Sequence, residues 1–217
     1  MIETFNNFFD NNKLLQLNSI FDQGKWEDGS ISGPSDKQIK HNLQQTDKTV
    51  RQMVNVEVHR MLREFSGFYL ISKASEILML KYNEGMHYND HVDFIHMYGI
   101  RTDYTCVMNL NDDFEGGEHY TKDMHGNKTL HELKPGDLLM YDTSQIHGVN
   151  PITKGERRCI TFWMESAIQD AFMREPIVRF NKLYQRLYDK NQLDDEDILE
   201  LDWFRMAMMR NHTHFRD

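Results

Sequence analysis

The chain has 217 residues, 39% of them hydrophobic and 12% aromatic, with a formal net charge of −9. That is enough apolar side chain for one folded domain with a full core, and it excludes an intrinsically disordered chain. The acidic balance, without any run of Lys or Arg, argues against a nucleic-acid partner.

Residues 1–22 read as a short strand followed by a helix carrying Leu14, Leu15, Leu17 and Ile20. The start, MIETFNNFFDNN, has no basic segment leading into an apolar one, so no signal peptide is expected. No apolar run approaches the ~20 residues of a membrane span, so a cytoplasmic protein with no membrane partner is expected. Residues 23–36 are turn-rich, with Gly24, Gly29, Gly33 and Pro34, and Trp26 is expected to anchor them. Residues 47–65 give a clear helical stripe of Val50, Met53, Val54, Val58, Met61, Leu62 and Phe65, broken only by Glu57. Asp47 can cap its start, and the methionines are expected to pack on a sheet.

From residue 77 to 165 the pattern becomes short β-prone runs: EILMLKY, YTCVMNLN, GEHYTK, LHELK, DLLMYD, IHGVNP and RRCITFWM. Turn signals such as Asn83-Glu84-Gly85, Gly116-Gly117 and Pro135-Gly136-Asp137 separate them. This spacing predicts a sandwich or jelly-roll barrel. Cys106 and Cys159 lie inside such runs and are expected to be free core thiols. After residue 166, Ile168, Phe172, Ile177, Phe180, Leu183, Tyr184 and Leu187 predict a helix that Pro176 kinks or splits. The acidic stretch 194–197 reads as a loop and helix start, with a last helix near 198–210. The expected class is therefore α+β and the expected organisation is a single domain, 1–217. Residues 1–76 support a jelly-roll core over 77–165, and 166–217 add C-terminal helices.

Four residues carry the chemistry. His91 and Asp93 are two apart, so on a strand both side chains face one way. His147 follows 54 residues after Asp93, a spacing that lets a jelly roll return the chain to the opposite side of the same mouth. Alone, His147 would read as an ordinary loop histidine. Together, two imidazoles and one carboxylate suit a non-haem ferrous ion with about three open positions; zinc would prefer a tetrahedral site with one open position, and spacing alone does not separate the two, whereas Arg157 favours iron. Arg157, ten residues on, can hold the far carboxylate of a dicarboxylate co-substrate, which predicts an oxygen-activating enzyme that consumes 2-oxoglutarate. Arg158 must point the other way on a strand, so one of the two serves, and the count from His147 favours Arg157.

The stretch Tyr82-Asn83-Glu84-Gly85-Met86-His87-Tyr88-Asn89-Asp90-His91-Val92-Asp93 resembles the YxxGxxYxxHxD signature of prolyl 4-hydroxylase-like dioxygenases. Gly116-Gly117-Glu118 resembles their GGEL start, with His119 in place of the leucine. Residues 133–141 resemble their PGDLVLY segment, and His147 to Arg157 resemble their H-x-V-x-P-V-T-x-G-x-R ending. Trp26-Glu27-Asp28-Gly29, Lys40-His41-Asn42-Leu43-Gln44 and Arg101-Thr102-Asp103 are similar to bacterial PKHD-type hydroxylases.

The resemblance implies a double-stranded β-helix holding Fe(II) through His91, Asp93 and His147. Arg157 would bind the 5-carboxylate of 2-oxoglutarate, with Tyr82 lining the same pocket. It also implies O2 as co-substrate and ascorbate (vitamin C) as reductant. Asn109 stands where relatives often carry an aromatic residue near the co-substrate. The implied reaction hydroxylates an unactivated C–H bond and releases succinate and CO2. The carboxylate of Asp93 favours hydroxylation over halogenation, which would need a small residue there. A non-catalytic iron or 2-oxoglutarate sensor and a nucleic-acid oxidative demethylase are the alternatives. The prime substrate, whether peptidyl proline, another amino-acid side chain or a small molecule, is not written in the sequence, nor is the oligomeric state. Loops 83–104 and 120–131 are expected to select it, and His87, His96, His119, His125 and His131 are expected to be solvated loop residues.

Overall fold

Each strand of the central sheet alternates between a helix-covered face and a cavity face, and that alternation builds the molecule. A computed structural model describes residues 1–213, leaving the side chains of residues 64–66, Phe65 among them, outside the description. The first elements are β1 (Ile2–Phe5), α1 (Asn11–Phe21), β2 (Trp26–Asp28), β3 (Lys40–His41), β4 (Leu43–Gln45), α2 (Lys48–Tyr69) and β5 (Ile71–Ala74). The middle holds β6 (Leu78–Tyr82), β7 (His87–His91), β8 (His96–Met97), β9 (Ile100–Arg101), β10 (Tyr104–Asn109), β11 (Phe114–Gly116) and β12 (His119–Lys122). Then come β13 (Lys128–His131), β14 (Leu138–Asp142), β15 (Ile146–Val149), β16 (Ile152–Gly155) and β17 (Arg157–Ser166), followed by α3 (Ala171–Asp189) and α4 (Asp195–His212).

The major sheet runs β1-β14-β10-β17-β6-β4-β2, with β5 beside β17, and the minor sheet runs β13-β12-β15-β7-β3. Among the described residues the strand pairings in both are antiparallel, and the two sheets form the jelly roll. On β17, Ile160, Phe162 and Met164 turn to the core shared with Leu17 and Phe21 of α1 and Val54 and Val58 of α2. Cys159 and Trp163, from the alternate positions, turn to the second core, between the sheets. Burial on both faces explains why these strands read as continuous apolar runs. Cys106 faces the helices and Cys159 the interior, so the two free thiols lie on opposite faces of the sheet.

Local signals set the helix ends. The carboxylate of Asp10 accepts from the Lys13 amide at 2.8 Å, and that of Asp47 from Thr49 and Val50 at 2.9 and 3.1 Å. Asp194 and Asp197 form a capping box, so the acidic stretch is the start of α4. Trp26 is anchored as expected, with its ring 4.8 Å from Phe21, and the residue belongs to a strand.

Two stripes needed correction. Met53 is 51% exposed because α2 buries the row Val50, Val54, Val58 and Leu62, leaving Met53 on its flank. Phe172 is 92% exposed because α3 buries Arg174, Ile177, Val178, Asn181 and Tyr184, a face with two polar members. Pro176 does not split α3; near the helix start it removes only the bond to the Phe172 carbonyl. No described helix is long and apolar enough to cross a membrane.

Candidate metal and co-substrate site

His91 closes β7 and Asp93 lies just beyond it, while His147 sits inside β15, the strand hydrogen-bonded to β7. In register His147 is directly opposite His91. The two imidazoles are thus cross-strand neighbours in one sheet, not residues from opposite sides of a mouth. Pairing brings them together because directly opposite residues have Cβ atoms only ~5 Å apart. Gly148 lets the strands close: a Cβ there would lie 2.4 Å from Tyr120 Oη and 2.6 Å from the Tyr88 carbonyl oxygen.

Ligand-capable atoms of His91, Asp93 and His147 all lie within 4.8 Å of one another. His91 Nδ1 bonds the Asn89 carbonyl at 2.8 Å, and His147 Nδ1 bonds the Gln145 carbonyl at 2.9 Å. A carbonyl only accepts, so each Nδ1 carries the proton and each Nε2 keeps its lone pair. Those lone pairs face the carboxylate, with Nε2–Oδ distances of 3.8 Å from His91 and 3.7 Å from His147. Asp93 Oδ2 accepts from Thr105 Oγ1 at 2.9 Å and from Trp163 Nε1 at 2.8 Å, which fixes the carboxylate plane. Outer partners of this kind orient ligands in metal sites. Burial, followed by the His147 charge, pushes the His91 imidazole down to about 4, so it is neutral at pH 7 and ready to ligate. Tyr88 stacks on His91 at 3.6 Å.

Arg157 is 1% exposed and opens β17, while Arg158, one step on, turns out to Asp22 and Glu156. The Arg157 guanidinium donates to Cys159 Sγ at 3.3 Å, but its Nε and Nη2 have no partner among the described residues. An unpaired buried guanidinium is costly, and its planar fork matches a carboxylate. Tyr82 lies opposite Arg157 in register, with its ring 5.5 Å from the guanidinium. Burial raises its phenol well above the usual range. Asn109 donates to the Leu133 carbonyl at 3.1 Å and is not among the residues lining the cavity.

A cavity of about 510 Å³ connects these groups. It reaches from Arg157, Tyr82 and Cys159 past the His–Asp–His cluster to Phe94 and Met97. Of the segments expected at its mouth, 83–104 contributes, through residues from Tyr88 to Met97, and 120–131 does not; residues 32–34 contribute as well. His119, expected in solvent, is buried on the cavity wall with Nε2 unpartnered, as is the Tyr141 hydroxyl 5.4 Å from it between ring centres. Burial, then the His147 charge, holds the His119 imidazole well below its usual range. Lys40, Thr105, Tyr141 and Trp163 also line the site. Thr105 and Trp163 were not marked by the sequence, since β10 and β17 read as continuous apolar runs.

Residues 77–165 match the model of the 2OG-Fe(II) oxygenase superfamily. A PKHD-type hydroxylase from Xylella fastidiosa strain M12 is 31% identical over 193 residues, covering 81% of this chain and 83% of that protein. The chain belongs to the PKHD-type hydroxylases of this superfamily. A PKHD-type hydroxylase of Idiomarina loihiensis is 28% identical, covering 88% of this chain and 89% of its own length. Among solved structures, a prolyl-4-hydroxylase from Pseudomonas putida aligns with a TM-score of 0.60 at 17% identity, covering 76% of this chain and 92% of its own. A prolyl hydroxylase from Trichoplax adhaerens gives 0.59 at 18%, covering 75% and 82%. These neighbours share the jelly-roll fold. Membership makes the protein a dioxygenase and oxidoreductase whose family uses Fe(II), 2-oxoglutarate and O2. The donor set suits that group, since two imidazoles, one carboxylate and a buried guanidinium with unpaired donors share one cavity.

Proposed function

We propose that this PKHD-type hydroxylase inserts one oxygen atom into an unactivated C–H bond of an amino-acid side chain, peptidyl proline included, or of a small molecule, releasing succinate and CO2. His91, Asp93 and His147 are the iron ligands in this reading, and Arg157 holds the 5-carboxylate of 2-oxoglutarate. The carrying observation is that Arg157 keeps two donors unpaired in the same cavity as the cluster. Iron held there would, with 2-oxoglutarate and O2, supply the oxidising chemistry, with ascorbate as its reductant.

The chain's own residues orient and enclose. Trp163 and Thr105 hold Asp93 Oδ2, the oxygen nearest His147 Nε2, while Oδ1 faces His91 Nε2. The Asn89 and Gln145 carbonyls hold both rings in the ligating tautomer. Leu78, Leu80, Val107 and Val149 make the cavity wall apolar and keep water from the reacting centre. The Tyr82 ring braces the Arg157 guanidinium.

The test is an aerobic assay with Fe(II), 2-oxoglutarate and ascorbate that measures succinate, alongside an Asp93→Ala variant. Succinate from the parent protein and none from the variant is expected. Equal turnover by both removes Asp93 from the site, and no turnover by the parent with any peptide, amino-acid or nucleotide panel defeats the hydroxylase reading.

A further inference from the structure

Lys40 is a second cation of the cavity, and the family chemistry above does not use it. It lies on β3, at the edge of the minor sheet, and is 3% exposed. A lysine is almost never this buried without an ion-pair partner. Among the described residues no carboxylate lies within ion-pair reach of its Nζ. Its partners are neutral: the Gly29 carbonyl at 2.7 Å and Ser32 Oγ at 3.0 Å. An ammonium has three donors, so one remains.

Gly33 keeps the space beside that donor open. Its φ is 175°, extended backbone that any residue adopts, so conformation does not require glycine there. Space does. A Cβ at Gly33 would sit 3.1 Å from Lys40 Nζ and 3.4 Å from Tyr88 Oη, and Gly33 lines the cavity. Lys40 Nζ is itself 5.3 Å from the centre of the Tyr88 ring, which stacks on His91. The amine therefore stands one aromatic ring away from the proposed iron, on the side toward the mouth.

Charge accounting gives the ligand's sign. Arg157 and Lys40 are positive, Asp93 is negative, and metal-ligating imidazoles are neutral. A ferrous ion and dianionic 2-oxoglutarate cancel each other. One positive charge is left, and it belongs to Lys40. Burial draws this ammonium down to about 8, against the opposing charges of Asp93 and Asp28, so it is still mostly protonated at pH 7.

We propose that Lys40, in the space left open by Gly33, binds an anionic oxygen group of the prime substrate, a carboxylate or a phosphate, and orients the substrate over the metal. This rests on the hydroxylase reading for its place in the reaction, but not for the binding itself.

The test measures binding under argon to protein loaded with Mn(II) and 2-oxoglutarate, and again to protein without either. The probes are N-acetyl amino acids, their matching amides, and alkyl phosphates of similar size. Acids or phosphates bind about tenfold tighter than the amides, the scale of one charge-assisted hydrogen bond. Which anion ranks first tells carboxylate from phosphate. Lys40→Gln reduces the preference to less than twofold and leaves 2-oxoglutarate affinity unchanged, whereas Lys40→Arg retains part of it. Gly33→Val, which the extended backbone tolerates, also removes the preference and guards against a misfolded Lys40 variant. Acids and amides binding alike to the parent overturns the proposal, as does a preference that survives Lys40→Gln. If 2-oxoglutarate fails to bind the parent, the hydroxylase reading falls, while the acid–amide comparison on unloaded Arg157→Gln protein, with and without Lys40→Gln, still decides the role of Lys40.

Discussion

Trp163 and Thr105 donate to the same oxygen of Asp93, and that shared hold makes the carboxylate a directional ligand. Trp163→Phe removes one donor but keeps the ring. Metal affinity, read by calorimetry with Mn(II), should fall about 10- to 100-fold with the circular dichroism spectrum unchanged. Unaltered affinity would show that Thr105 alone suffices. Arg157 predicts the complementary split. Arg157→Gln should weaken 2-oxoglutarate by about 2–5 kcal/mol in an anaerobic absorbance titration, while Mn(II) binding persists. Loss of both would mean that the buried guanidinium supports the fold instead. Arg157 was singled out because strand alternation lets only one of Arg157 and Arg158 serve and the count from His147 favours Arg157. Lys40 was not: it stands in the polar run DKQIKHNLQQ, and its burial arises only when residues 29–34 fold back over β3.

At the scale of elements, β15 matters most, because it sets the spacing between the two histidines. Gly148→Ala would drive a Cβ into Tyr120 Oη and the Tyr88 carbonyl oxygen. Overpacking of this kind costs about 1–3 kcal/mol, which for a chain this size lowers Tm by about 3–10 °C in calorimetry. Metal affinity should fall with it, since β15 and β7 must move apart; an unshifted Tm would show that Tyr120 swings away freely. The apolar strands were visible beforehand. Strand β7 was not, since HYNDH has no apolar alternation, and it takes its strand form from pairing with β15 and β3. The helix stripes misled at Met53, which lies on the flank of the row that α2 buries, and at Phe172, because α3 buries Arg174, which reaches Asp103, in a place where an apolar residue would be expected.

For the molecule as a whole, the buried histidines set the response to acid. Burial lowers His91 from 6.5 to about 4, and it lowers His119 and His131 as well. The unfolded chain therefore binds more protons than the folded one below about pH 6.5, so stability falls as pH drops from there toward 4. Metal-free protein should show a steady decline in Tm between pH 6.5 and 4.5, and a Tm at pH 5 equal to that at pH 7 would contradict this. The broad plan, helices flanking a jelly roll, was legible because both faces of β6, β10 and β17 are apolar. The pairing of His147 with His91 was not, since register depends on strands far apart in sequence. That pairing has a thermodynamic consequence. A divalent ion shared by β7 and β15 would act as a rivet through the middle of the minor sheet, so opening the sheet would require releasing the ion. Hydrogen exchange of the β7 and β15 amides should then slow with rising metal concentration, and the sheet itself would report how full the site is.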